Sequence, residues 1–117
     1  NTNIEKLEGF EVLTILLFEI FEECAFEKLL KFDSQYSISE TFFAHTNIFG
    51  RNLLHIAAKN GSLNLIQYVF PKLSAHFLRE ALNLEDNQKD TPLALACAFG
   101  YPRKTWVREN LERINAK

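Results

Sequence analysis

Three histidines, His45, His55 and His76, and two cysteines, Cys24 and Cys97, are the side chains with the widest chemical range in this chain. His55 invites a catalytic role, but no serine or cysteine nucleophile motif accompanies it. His45 and His76 stand alone, and a zinc site wants several ligands converging. The cysteines lie far from any histidine in sequence, so no metal is expected. Glu19, Glu22, Glu23 and Glu27 form an acidic cluster. Paired carboxylates can act as acid and base; a solvated helix face is the simpler reading. Gly50, Gly61 and Gly100 sit where helices start and stop, with no phosphate-cradling arrangement. Arg103, Lys104, Arg108, Arg113 and Lys117 surround Trp106. A nucleic-acid surface would interleave such residues with exposed aromatics. Trp106 instead shares a helical stripe with Val107, Leu111 and Ile114, so it reads as core. The basic face then reads as a soluble cap or as the seam to a following domain. No catalytic residue and no cofactor is expected.

Composition narrows the class. The 117 residues amount to one domain, and 47% hydrophobic content is that of a globular chain. A net charge of −2 creates no field that would gather nucleic acid or a membrane surface. The chain opens on Asn1 and contains no methionine, which is expected of a fragment of a longer protein or of a processed terminus. Two distant cysteines do not make a disulfide framework. They are expected to be buried free thiols in a reducing compartment. The most apolar stretch, Val12 to Phe21, is broken by Thr14 and Glu19 and is too short to span a membrane. Glu5, Glu8 and Glu11 occupy the place where a secretory signal would need basic residues.

The elements that must position these residues are all helical. Residues 1 to 9 are polar and are expected to fray. Phe10, Leu13, Leu17, Ile20 and Phe21 then recur at spacings of three and four. Leu16 and Phe18 widen that stripe, so the helix should be covered on more than one side. Ala25, Phe26, Leu29 and Leu30 fit a second short helix, broken at Asp33-Ser34-Gln35. Ser39 should cap a third, with Phe42 and Phe43 on it. Further on, Leu63 to Phe70 is a helix ended by Pro71, and Ser74 opens another through Leu82. Asn83 to Asp90 is polar and turn-like. Pro102 opens a last helix.

One stretch says the same thing twice. Asn47-Ile48-Phe49-Gly50 is a turn, Asn52 to Asn60 a short helix carrying Ala57 and Ala58, and Gly61 its stop. Thr91-Pro92-Leu93-Ala94-Leu95-Ala96-Cys97-Ala98-Phe99-Gly100 repeats it 39 residues later. Leu93 falls on Leu54, Ala96 on Ala57, Gly100 on Gly61 and Asp86 on Asn47. A step of 38 residues back from Asn52 reaches Thr14, which puts Glu19 and Ile20 where Ala57 and Ala58 stand, and Ala25 to Phe32 over Leu63 to Phe70. Three units follow, about 8–46, 47–85 and 86–117, the first degenerate.

Thr91-Pro92-Leu93 and Leu54-His55-Ile56-Ala57-Ala58 together resemble the ankyrin repeat, whose helix opens Thr-Pro-Leu-His-x-Ala. The period is longer than the family's ~33 residues, the surplus lying after the second helix of each of the first two units. The resemblance implies an all-α, ankyrin-type stack (a short α-solenoid) with extra short helices. No unit of this size buries its own apolar face, so the units must stack. It also implies that the histidine at position 55 ties neighbouring turns together. It places a protein partner on the concave side, formed by the turn tips and the exposed side of each first helix. Those residues are Ile48, Phe49, Arg51, Lys59, Asn60, Asn87, Gln88, Asp90 and Phe99. Phe49 is the expected anchor, the other reading being that it folds back on the neighbouring unit. The implied function is a non-catalytic protein-interaction module in an intracellular protein. The alternatives are a recruiting or regulatory domain of a larger enzyme and a nucleic-acid binder using the basic last helix. The Asn/Lys/Ile/Phe-rich composition is similar to that of ankyrin proteins delivered into host cells by intracellular bacteria, or made by large DNA viruses.

Overall fold

The computed structural model of the chain describes residues 2–99, and side chains for residues 9–98. Among the described residues six α-helices follow in order: α1 (Thr2–Glu22), α2 (Phe26–Tyr36), α3 (Leu53–Asn60), α4 (Leu63–Val69), α5 (Ala75–Asn83) and α6 (Pro92–Phe99). Short 3₁₀ turns occupy Glu40–Ala44 and Phe70–Lys72, and no strand occurs among the described residues. The fold is therefore all-α.

The helices form two layers. α3 lies between α1 on one side and α6 on the other, and these three make the inner layer. α2 and α4 pack behind α1 and α3 as the outer layer. α5 and the 3₁₀ turn at Glu40–Ala44 are the two added pieces, and they touch one another. Small residues set the spacing within the inner layer. Ala57, Ala58 and Ala96 are buried where α3 meets its neighbours. Large residues fill the space between layers: Leu17, Phe21, Leu29, Leu65 and Ile66 are all inaccessible to solvent. The phenylalanine excess finds its use at the first added piece. Phe42 stacks on Phe10 at 4.6 Å and meets the edge of Phe32 at 5.7 Å, while Phe43 meets Phe21 edge-on at 6.3 Å. The 3₁₀ turn thus plugs the end of the α1–α2 pair with two rings.

Several expectations are corrected. α1 begins at Thr2, not at Phe10, and runs 21 residues against 8 for α3. It is covered on one side: Val12 and Ile15 are 63% and 61% exposed, and Leu16 is exposed as well. α2 does not break at Asp33. The Asp33 carboxylate is drawn out of competition with the backbone by Tyr68 and Lys72 from the α4 side, and by the Ile38 N–H beyond the helix end. The helix stops instead at Ser37, which has positive φ and donates its N–H to the Asp33 carbonyl. Ser39 stands at the head of its 3₁₀ turn, but its hydroxyl pairs with Thr41 Oγ1 rather than capping the backbone. Ser74 does cap α5, accepting the Phe77 N–H.

The overlay of the first unit also moves by one residue. Ala25 and Ser62 each donate across the loop to the carbonyl five residues back, Ile20 and Ala57. Phe26 and Leu63 donate to Cys24 and Gly61, which both have positive φ. The spacing is 37 residues, not 38, so Ile20 and Phe21 take the places of Ala57 and Ala58, and Leu17 that of Leu54. Thr14 is no cap: its hydroxyl donates to the Phe10 carbonyl inside α1. Both thiols are exposed, not buried. Cys24 occupies the left-handed turn position that glycine holds in the next unit, with Sγ accepting from the Ser62 hydroxyl at 2.8 Å. Cys97 lies one step around α6 from buried Ala96.

Candidate partner-binding surface

The two turn tips are built by one recipe applied twice. Asn47 Oδ1 accepts the N–H groups of Phe49 and Arg51 at 2.9 and 3.1 Å. Asp86 Oδ1 accepts those of Gln88 and Asp90, both at 2.9 Å. Asn47 and Asp86 also each donate to the carbonyl four residues on, Arg51 and Asp90, at 2.9 Å. At the third residue after each, the chain needs a left-handed backbone, and Gly50 has φ +74° where Lys89 has +67°. The 39-residue equivalence of Asn47 and Asp86 is thus one of hydrogen bonds as well as letters.

The tips then stack. The Asn87 backbone N–H donates to the Phe49 carbonyl and its Nδ2 to the Ile48 carbonyl, each at 2.9 Å. A Cβ on Gly50 would stand 2.5 Å from Asn87 Oδ1, so glycine is required there by space as well as by φ. Arg51 Nε donates to Asp86 Oδ2 at 3.1 Å, and its guanidinium lies 5.5 Å from the centre of the Phe49 ring. Burial pushes the Asp86 carboxyl up, but the Asp90 N–H, Arg51 and the Gln88 N–H outweigh it and hold the group below its ordinary value.

Beneath the tips, His55 carries the coupling inward. It is fully buried. The Asn52 N–H donates to Nδ1 at 3.1 Å, so Nδ1 is the unprotonated nitrogen, and Nε2–H donates to the Asp90 carbonyl at 2.9 Å. Burial lowers its pKa below 6.5 against the raising influence of the Asp90 carbonyl and Asp86, which fits a neutral imidazole. The role implied for His55, tying neighbouring turns, is the one the geometry gives it. Asn52, standing where Thr91 stands in the next signature, accepts the His55 N–H and donates Nδ2 to the Ala81 carbonyl of α5. Thr91 caps α6 by accepting the Ala94 N–H. The longer amide therefore serves both the helix start and the added helix.

The sequence-derived surface residues divide by what they already do. Ile48 is 86% exposed and Phe49 55% exposed, so Phe49 does not fold into the core; Arg51 covers one side of its ring. Gln88 is exposed. Arg51, Asn87 and Asp90 are committed to the stack, the last through its backbone. Asn60 donates to the Phe21 carbonyl of α1 at 3.4 Å, and Lys59 is half-buried beside it. The Phe99 side chain, the basic face around Trp106 and the helix expected after Pro102 lie outside the described residues.

Sequence reasoning missed a groove. Residues 11–22 of α1 run alongside the loop of residues 45–48, and an open groove of about 600 Å³ lies between them. Glu11, Thr14, Ile15, Phe18, Glu19, Glu22 and Glu23 line one wall, and His45, Thr46, Asn47 and Ile48 the other. Its signal was the over-wide apolar stripe of Val12 to Phe21, read as a helix covered on several sides. Among the described residues no His, Cys, Asp or Glu cluster is arranged to hold a metal, and no helix is long and apolar enough to cross a membrane. Glu19, Glu22, Glu23 and Glu27 are exposed, with Glu23 paired to Lys28 at 3.0 Å. His45 and His76 remain apart, the first against Phe10 and the second beside Glu80.

Comparison with known proteins bears on the same features. No curated protein and no solved structure matched the chain. The family model for ankyrin repeats matches residues 9–107, in three copies. That span takes in both stacked tips, the histidine bridge and the paired inner helices, and on this ground the chain belongs to the ankyrin-repeat family.

Proposed function

We propose that the chain is a non-catalytic interaction module that holds a protein partner on the concave side of its stack. Ankyrin repeats generally serve as protein–protein interaction modules. The finer reading rests on one observation: Ile48 and Phe49 are exposed apolar side chains on a tip whose backbone groups are already bonded. An aromatic held on a rigid tip loses little entropy on binding, which is the profile of an interface anchor. Gln88 on the next tip and Lys59 and Asn60 at the end of α3 extend the surface. Arg51, Asn87 and Asp90 support it from within, and Phe99 completes the set of nine.

The test is affinity capture with the wild-type domain against Phe49→Ala, with thermal melts of both. Removal of Phe49 is expected to weaken the captured partner at least about tenfold while the midpoint stays within about 2 °C. Undiminished capture, or a large drop in midpoint, would overturn the assignment of Phe49 as the anchor.

A further inference from the structure

We infer that the groove between α1 and residues 45–48 binds a basic peptide segment with apolar anchors. The inference rests on the reading that the turn-tip side of the domain is the binding face, and adds the chemistry of what is bound. The groove floor is apolar, from Ile15 and Phe18 of α1 and Ile48 of the tip. Ile15 and Ile48 stand largely in solvent. Covering such side chains on binding removes apolar surface from water, which favours an apolar anchor. The rim is of one sign. Among the described residues, the groove's charged lining consists of Glu11, Glu19, Glu22 and Glu23, with the imidazole of His45 beside them and no lysine or arginine.

Geometry limits the occupant. Glu11 and Glu22 lie eleven residues apart on one helix, which spaces them by about 16 Å along its axis. They flank the floor at both ends, so a ligand with a central apolar anchor and cationic groups on both sides meets each feature in turn. The carboxylates stay at the rim, where they attract and select a cation without being buried. An acidic or neutral apolar segment finds the same floor but is repelled, or left unmatched, at the rim. The groove exists because α1 extends past the position where the later units have a turn tip, a departure confined to the first helix pair.

The test uses the whole chain and a fluorescent 14-residue amphipathic peptide, with Leu and Phe at helical spacing and Lys and Arg between them. Controls carry Glu in place of Lys and Arg, or Ala in place of Leu and Phe. Binding is expected from the first peptide only, weakening as salt rises from about 50 to about 500 mM. Glu11→Lys with Glu22→Lys, and separately Ile15→Asp, are expected to reduce affinity at least about tenfold. All three positions are exposed, so melts of these variants should match wild type. Phe49 does not line the groove, and Phe49→Ala should hold peptide affinity within about twofold. Wild-type binding by the groove variants, or equal binding of the acidic control, overturns the proposal. So does self-association of the domain that the charge reversals abolish. Loss of peptide with Phe49→Ala alone would keep the tip surface and remove the groove; loss of the captured partner with the groove variants alone would do the reverse.

Discussion

His55 spans two repeats with one ring, and its removal should be felt as a buried hydrogen-bond loss rather than a lost catalyst. His55→Ala strands the Asn52 N–H and the Asp90 carbonyl and opens a cavity, at a cost of about 2–4 kcal/mol in urea unfolding. Its titration gives a second readout. The folded-state pKa lies below the ordinary 6.5, so the native ring is neutral where the unfolded ring starts to take a proton. The stabilisation is complete above about pH 6.5 and is lost as the pH falls through the lower folded value. His55→Gln should flatten the fall in stability as the pH drops below about 6.5, measured by urea midpoints. Gly50 and Lys89 make a matched pair on the tips. Gly50→Ala should cost about 1–3 kcal/mol through φ and the clash with Asn87. Lys89→Gly should gain up to about 1 kcal/mol, since it relieves the same φ at an exposed position. Thermal melts of both would show opposite signs.

Among the helices, the small residues of α3 and α6 set how closely the inner layer packs. Ala57→Leu should overpack it by about 1–3 kcal/mol, read as a lowered urea midpoint at unchanged slope. The outer layer is held by a polar clamp instead. Tyr68 and Lys72 both reach Asp33 of α2, and Lys72 also lies 4.8 Å from the centre of the Tyr68 ring. Burial acts to raise the Asp33 pKa, but the Ile38 N–H, the Tyr68 hydroxyl and Lys72 bring it from 3.8 to about 2. The folded value is the lower one, so the clamp's contribution is present above about 3.8 and disappears as the pH falls toward 2. Asp33→Asn should cost about 1–2 kcal/mol at neutral pH, after allowance for its partly wet edge, and the gap should close in acid. This clamp is also why α2 continues where a Asp-Ser-Gln run suggested a break: a contact with a distant helix overrides local propensity. The helices with their own caps, α3 and α5, were legible because Asn52, Gly61 and Ser74 act within a few residues of themselves. The apolar stripe of α1 was legible too, but its register against the later units was not, because its unit has Cys24 where the next has glycine, and the overlay slipped by a residue.

Across the whole molecule, the repeat is what the residues disclosed best. Two helices with small buried faces lie side by side, each preceded by the same turn, because that instruction is local and is written twice. The groove was hidden for the opposite reason. It depends on α1 continuing where the later units have a turn tip, and on an apolar face that stays uncovered, neither of which a periodic pattern can place. A stack of this kind is held by contacts between neighbours, so uncoupling its tips should loosen the binding face as a unit. The most direct test of that coupling is an amide-resolved NOE spectrum of the isotope-labelled chain. The stack predicts close contacts from the Asn87 amide to Phe49 and Gly50, and from the His55 ring to Asp90 and Thr91, with the imidazole protonated at Nε2. Absence of those contacts, with the helices otherwise intact, would contradict the stacked tips and the binding surface built on them.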